Sequence, residues 1–227
     1  VPIGTLISLT ATVSQLHGAG RRDEIGPVFR QALWLSLGLA ALMFAFLSFI
    51  PHALGPFGIA PEIIPGARDF LHGVRWGVPA LTLYFCMRYL SEGMHWTLPT
   101  MVIGFGGLLV LAPLGYAFTF GRFGLPEMGA GGLGLASAIT MWAQAVAFAI
   151  YLWNAKQFAE LKLFARFDPP HAKPIGELLR TGLPIGITVL MEGGLFIATA
   201  LLIARLGAVP AAAHQIAINV SALCFMV

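Results

Sequence analysis

One acidic residue, Glu192, lies in an apolar stretch that is long enough to cross a lipid bilayer. The segment from Gly182 to Phe196 carries no other charged side chain. An ionised carboxylate costs roughly 2.5 kcal/mol or more at the centre of a membrane, so such residues usually face a cavity and bind a ligand there. In a helix, Arg180 and Arg205 lie roughly 18–20 Å from it along the axis, which is too far for pairing.

Two roles follow for this carboxylate. It could exchange a proton or bind a sodium ion while attracting cationic ligands, because burial shifts a carboxyl group toward its protonated form. The alternative is a structural ion pair with a Lys or Arg on a neighbouring helix. The other basic residues fall near the ends of apolar segments, which favours the ion-binding role of Glu192.

The composition defines the class of protein. Of 227 residues, 58% are hydrophobic and 10% are charged, against about 25% charged in an average soluble domain. A chain this apolar predicts an all-α, polytopic membrane protein whose main partner is the bilayer. No run rich in Lys and Arg is present, which argues against a nucleic-acid partner. Cys86 and Cys224 are far apart and are expected to pack as small apolar residues, with no metal or redox role.

Apolar runs predict five complete spans and two partial ones. Nine of the 13 Lys and Arg residues fall on one predicted side, which the positive-inside rule places in the cytoplasm of a multi-pass inner-membrane protein. Both ends of the chain lie in apolar runs, so we expect a segment of a longer protein. The predicted spans cover residues 1–16, 31–50, 67–89, 99–120, 135–153, 178–204 and 211–227.

Several short motifs resemble those of the MATE (multidrug and toxic compound extrusion) transporters. Ser14–Arg21 is similar to the turn after the second helix of that family, and Arg88–Gly93 to its turn between the fourth and fifth helices. Phe123–Ala130 resembles the loop before the sixth helix. Gly182–Gly186 with Glu192, followed by Ala213–Ala217, resembles the seventh and eighth helices. The order of these motifs extends the resemblance over nearly the whole chain.

The resemblance implies a part of a twelve-helix transporter with two lobes. It places residues 1–155 in the N-terminal lobe, residues 156–177 in a cytoplasmic linker and residues 178–227 at the start of the C-terminal lobe. The implied function is secondary active efflux of amphiphilic organic cations, by antiport against Na⁺ or H⁺, without enzymatic activity or a cofactor other than the coupling ion. Leu111 and Gly115 stand where the resemblance leads us to expect Asn, which shifts the expected coupling site to Glu192.

Other side chains are candidates for supporting roles. Pro113 and Pro184 lie inside spans and are candidate hinges, although Pro is common in membrane helices. Arg88 and Glu92 are spaced for a local ion pair. Asp69, His72 and Arg75 are predicted to share one helix face, either as a polar patch at the interface or as a substrate entrance. Candidates for lining a substrate cavity, each also explained by helix packing, are Gln15, Tyr84, Met191, Phe196, His214 and Gln215.

Two other classes of function stay open. A lipid-linked saccharide flippase of the same superfamily would have a more basic cavity, and no Lys or Arg lies in the middle of a predicted span. A membrane enzyme would need a second polar catalytic group at the depth of Glu192, and a structural membrane protein would not need this carboxylate. Gly129–Gly134 fits a dinucleotide-binding pattern by letter only, because no strand precedes it.

Overall fold

All regular elements in the described part of the chain are helices. The structure is a computed structural model that describes residues 2–53, 64–121, 127–161, 163, 168–204 and 208–225. Two 3₁₀ turns, Arg22–Glu24 and Arg75–Gly77, accompany the α-helices. The predicted all-α class is therefore confirmed. The helices are α1 Pro2–Gly18, α2 Ile25–Ala53, α3 Ile64–Val74, α4 Val78–Gly93, α5 Leu98–Phe120, α6 Gly129–Asn154, α7 Lys156–Ala159, α8 Ala172–Ala204 and α9 Ala208–Phe225.

Four described helical segments are long and apolar enough to cross a membrane. They are Arg22–Pro51, Leu98–Phe120, Gly129–Asn154 and Ala172–Ala200. Large apolar side chains cover their outer surfaces, and Phe49 on α2 is 73% exposed. Such surfaces are stable against lipid and would be unstable in water. The chain is a multi-pass membrane protein.

The predicted span at 67–89 is wrong as one continuous helix. It is divided into α3 and α4 by the 3₁₀ turn Arg75–Gly77. Pro79 has no N–H, so the Arg75 carbonyl cannot receive the usual bond from four residues later. The break also fits the packing, because a Cβ on Gly77 would lie 2.7 Å from Cα of Ala138 on α6.

The predicted boundaries of other helices also change. α8 begins at Ala172 rather than at 178, so the last part of the predicted polar linker is helical. Pro174 suits a first helical turn, where no N–H is needed. α6 begins at Gly129 rather than at 135. Residues 54–63, 122–126 and 205–207, which belong to predicted loops, lie outside the described residues.

The core forms where α1, α2 and α6 pack on α4. Phe29, Leu90 and Phe148 are fully buried at this centre. Gly93 lets α4 approach α1, since a Cβ there would lie 2.8 Å from Cβ of Val13. Small residues at such crossings allow membrane helices to pack backbone against backbone.

The first half of α8 crosses α1 at the same kind of contact. A Cβ on Gly4 would lie 2.5 Å from Cα of Gly186, and a Cβ on Gly182 would overlap the carbonyl of Thr5. The Ser8 hydroxyl donates to the Leu178 carbonyl at 3.1 Å. In these contacts the residue numbers rise along α1, from Gly4 to Ser8, and fall along α8, from Gly186 to Leu178. The two helices therefore run antiparallel.

One end of the bundle, which we call the basic end, carries the turn at Ala19–Glu24 and the segment that leads into α8. Arg30 of α2 pairs with Asp168 at 2.6 Å, and the Trp34 ring N–H donates to the Asp168 carbonyl at 2.9 Å. Gln31, which is 4% exposed, donates to the Pro169 carbonyl at 2.9 Å and accepts from the His171 N–H at 2.8 Å. These contacts fix the entry to α8.

We expect Gly182→Ala to lower the unfolding temperature of the full-length protein, because overpacking a tight contact typically costs about 1–3 kcal/mol. Gly176, also on α8, has open space at its Cβ position and supplies the control. Gly176→Ala should be neutral or slightly stabilising, since Ala favours helix over Gly by about 1 kcal/mol. Equal unfolding temperatures for the two variants would contradict the α1–α8 contact.

Replacing the buried amide in Gln31→Met should expose the entry to α8 to protease. The variant removes two hydrogen bonds to the segment at Pro169 and His171, so local opening becomes more frequent. Limited digestion of the detergent-solubilised full-length protein with the Glu-specific protease Glu-C should cut after the exposed Glu177 several-fold faster than in the wild type. Gln15→Met, which changes an exposed amide at the same end of the bundle, should leave the rate unchanged.

Candidate functional site

Glu192 lies in a cleft of about 420 Å³ between α8 and α9. Phe196 lies one helical turn further along α8, and Ile218, Ser221 and Ala222 form the facing wall on α9. Residues three or four apart share one side of a helix, which explains why these side chains meet. The cleft joins one carboxylate and one hydroxyl to an aromatic ring and two aliphatic groups.

The carboxylate has no partner of opposite charge among the residues that the structure describes. The three ion pairs found there are Arg21–Glu24, Arg30–Asp168 and Arg88–Glu92, and Glu192 joins none of them. The Arg88–Glu92 pair, at 2.7 Å, confirms the local ion pair expected from their spacing. Glu192 is exposed to the cleft and to the surface of the helix pair, so its oxygens are accessible to a ligand.

Oxygen ligands define what this cleft can hold. The Glu192 carboxylate can take up a proton or offer oxygens to a hard cation, and the Ser221 hydroxyl can add a further oxygen. Phe196 presents an aromatic surface, which attracts organic cations through its ring face. Protonation or a metal cation at Glu192 cancels the negative charge that an organic cation would need.

The other predicted lining residues on these helices differ in position. Met191 is 66% exposed and does not line the cleft with its neighbour Glu192. His214 lies one turn before Ile218 on the same side of α9, and its buried Nε2 has no hydrogen-bond partner in the described region. Gln215 is exposed on α9. Phe196 is therefore the predicted lining residue that the structure places beside Glu192.

Two predicted lining residues lie away from this cleft. Gln15 is exposed near the basic end of α1. Counting along the antiparallel pair from the Ser8–Leu178 contact, Gln15 and Glu192 are separated by roughly 30 Å. Tyr84 is 6% exposed in the core and makes edge-on contacts with Phe85 and Phe148.

The two candidate hinge prolines lie inside helices, as their sequence context predicts. Pro184 is between the two glycines of α8 that pack on α1, two turns before Glu192. It has no N–H to offer to the Arg180 carbonyl, while its own carbonyl accepts from the Thr188 hydroxyl at 3.1 Å. Pro113 is exposed in α5. A hinge role for either residue stays a prediction.

Ile218, Ser221 and Ala222 were not among the predicted cleft residues. A signal for them exists in the sequence, because His214, Ile218 and Ser221 follow the spacing of one helix face. Choosing that face over others required the position of α9 against α8. The α1–α8 contact had a clearer signal, since Gly4 and Ser8, like Gly182 and Gly186, are four residues apart.

Comparison with known proteins decides the family. A sequence profile of the MatE family matches residues 1–117. The chain belongs to the MatE family. It is 75% identical over 227 residues to the probable multidrug resistance protein NorM of Xanthomonas campestris pv. campestris, covering 100% of this chain and 50% of that relative. It is 41% identical over 225 residues to multidrug resistance protein PmpM of Pseudomonas aeruginosa, covering 99% of this chain and 47% of that relative.

Solved structures share the fold. MATE transporter NorM-NG, in a complex that includes a monobody, matches with a TM-score of 0.77 and 25% identity, over 99% of this chain and 49% of that chain. An inward-facing multidrug resistance MATE family transporter of the MOP superfamily matches with a TM-score of 0.72 and 18% identity, over 92% of this chain and 51% of that chain. The chain spans about half the length of the curated relatives that it matches.

The pairing of α8 with α9 at the cleft can be tested by cross-linking. In a full-length variant with Cys224→Ser, a Phe196→Cys/Ile218→Cys pair should form a cross-link with a short bifunctional thiol reagent. Both positions line the cleft. Phe196→Cys/Ile216→Cys is the matched control, because residues two apart on a helix point to different sides. Cross-linking of the control pair with equal yield would contradict the described register.

Proposed function

We propose that this chain supplies part of a multidrug efflux transporter, in which Glu192 couples the inflow of Na⁺ or H⁺ to the export of amphiphilic organic cations. The observation that carries the proposal is a carboxylate without an opposite charge among the described residues, in a cleft between α9 and the span-length apolar helix α8. Intramembrane carboxylates of this kind mark ion and substrate pathways.

The names of the relatives support the efflux part of this proposal. NorM and PmpM relatives are named multidrug resistance proteins, and the solved NorM-NG structure is named a MATE transporter. We extend this activity to the present chain and place it in the inner membrane, with the basic end in the cytoplasm. A transporter, rather than an enzyme, is the class that these relatives favour.

Competition for one charge provides the coupling. A deprotonated Glu192 without a bound metal cation attracts an organic cation, which can also contact the Phe196 ring. A proton or Na⁺ at Glu192 removes that attraction and promotes release of the organic cation. Because each ligand lowers the affinity for the other by the same factor, the inward gradient of one can drive the export of the other.

The test is efflux of a fluorescent organic cation from vesicles that contain the full-length protein. Sodium and proton gradients are imposed separately on the wild type, Glu192→Gln and Glu177→Gln. Glu177 is an exposed carboxylate near the start of the same helix and serves as the control. We expect Glu192→Gln to abolish gradient-driven efflux, and Glu177→Gln to retain it. The gradient that drives the wild type identifies the coupling ion.

Two outcomes would overturn the proposal. Unchanged efflux by Glu192→Gln would remove this carboxylate from the coupling step. If neither gradient moves any cation in the wild type, the multidrug interpretation itself is wrong. Transport of a lipid-linked saccharide would then be measured in the same vesicles.

A further inference from the structure

A second cleft lies at the end of the bundle opposite the basic end, between α3 and α6. Its volume is about 460 Å³, which is within the range of roughly 300–1,000 Å³ typical of small-molecule sites. Asp69 and His72 of α3 and Trp76 of the following turn line one side, and Met128 and Leu135 lie on the other. The Glu192 cleft is formed by different helices and shares no lining residue with it.

Close approach of the two helices forms the floor of this cleft. A Cβ on Gly73 would lie 2.7 Å from the Leu135 nitrogen, and a Cβ on Gly131 would lie 3.2 Å from Cβ of Asp69. The Trp142 ring N–H of α6 donates to the Trp76 carbonyl at 3.0 Å. Backbone packing therefore holds Asp69 and Trp76 at fixed positions on the rim.

The charges of α3 and the following turn are divided between two sides. Arg68 donates to the Pro51 carbonyl of α2 at 3.3 Å. The Arg75 guanidinium lies 5.6 Å from the Phe44 ring centroid of α2 and 5.6 Å from the Trp76 ring centroid. Arg68 is therefore directed to α2, and Arg75 lies between Phe44 of α2 and the Trp76 ring. Asp69 lies on the side toward α6, and Trp76 lines the same cleft while its ring also contacts Phe44. The prediction that Asp69, His72 and Arg75 share one face is wrong for Arg75.

The division leaves the Asp69 carboxylate as the charged group on the described lining of this cleft. Asp69 is exposed, and it takes part in none of the ion pairs found among the described residues. Trp76 is 58% exposed, so the part of its ring that does not contact Arg75 and Phe44 is available beside the carboxylate. A negative charge next to an indole ring and apolar walls is the combination that recognises an organic cation with aromatic groups.

We propose that the α3–α6 cleft is a peripheral binding site for amphiphilic organic cations, with Asp69 as the counter-charge and Trp76 as the aromatic surface. The ligand belongs to the same chemical class as the proposed transport substrate. The site itself does not depend on Glu192 or on ion coupling. A cation bound there would lie at the end of the bundle opposite the basic end. It would therefore be on the side of the membrane to which the transporter is proposed to release its substrate.

Equilibrium dialysis of tetraphenylphosphonium against the full-length protein tests this site. The measurement is made in the Glu192→Gln background. Loss of binding at the Glu192 cleft can then be distinguished from loss of binding at the α3–α6 cleft. Binding that remains there should weaken about fivefold or more in Glu192→Gln/Asp69→Asn, through loss of the counter-charge. It should weaken roughly threefold or more in Glu192→Gln/Trp76→Ala, through loss of the ring.

Two controls test whether the effect is specific to the Asp69 position and to a positively charged ligand. Glu192→Gln/Asp23→Asn removes an exposed carboxylate at the basic end and should bind as tightly as Glu192→Gln alone. Triphenylphosphine oxide, a neutral compound with three phenyl rings, should bind more weakly than the cation and should not respond to Asp69→Asn. Equal binding by the Asp69 and Asp23 variants would overturn the proposal. The proposal would also be overturned if Asp69→Asn weakened the binding of triphenylphosphine oxide as much as that of tetraphenylphosphonium.

Discussion

Contact between the backbones of α1 and α8 is the constraint on which the position of the Glu192 cleft depends. Gly4 and Gly186 meet without side chains between them, and Gly182 lies against the Thr5 carbonyl. In lipid, helices gain little from the hydrophobic effect when they associate, so close packing and hydrogen bonds must hold them together. The Ser8–Leu178 hydrogen bond adds to this contact. Together they fix the first half of α8 and direct its second half, which carries Glu192, toward α9.

The polar contacts at the basic end support the same arrangement. The Gln31 side chain donates to the Pro169 carbonyl and accepts from the His171 N–H just before α8 begins. Arg30 pairs with Asp168 in the same segment. The first half of α8 is thus held at its start and along its side. From Ile187 to Thr199 its residues are exposed, and this half packs on α9. Pro184 lies at the boundary between the two parts, which is the reason that it remains a hinge candidate.

Sequence patterns predicted the class of fold and most of the helices because both follow from local properties. Long apolar runs must be helical in lipid, where every backbone group needs a partner within the chain. The break at Arg75–Gly77 required the combined effects of Pro79 and of packing against Ala138, and a hydropathy pattern does not contain the second. The start of α8 was missed because a polar segment can be helical when one side is in water.

For the candidate site, the sequence identified Glu192 because a carboxylate in an apolar run is exceptional, and it included Phe196 among several candidate lining residues. It did not distinguish Phe196 from Met191, Tyr84 or Gln15, since the choice depends on which helix face meets α9. The clefts lined by Glu192 and by Asp69 also show why charge counts alone are insufficient. Arg68 and Arg75 are near Asp69 in sequence, yet their contacts with α2 leave Asp69 facing α6.

The central claim is that one carboxylate serves both the coupling ion and the organic cation. Its most direct test is equilibrium binding of tetraphenylphosphonium to the full-length Asp69→Asn protein, in which the peripheral cleft no longer contributes, over a series of Na⁺ concentrations and pH values. Our account predicts that Na⁺ or acid weakens binding competitively, and that this dependence disappears in Asp69→Asn/Glu192→Gln. An affinity that is independent of both Na⁺ and pH, or a competition that survives the Glu192 substitution, would contradict it.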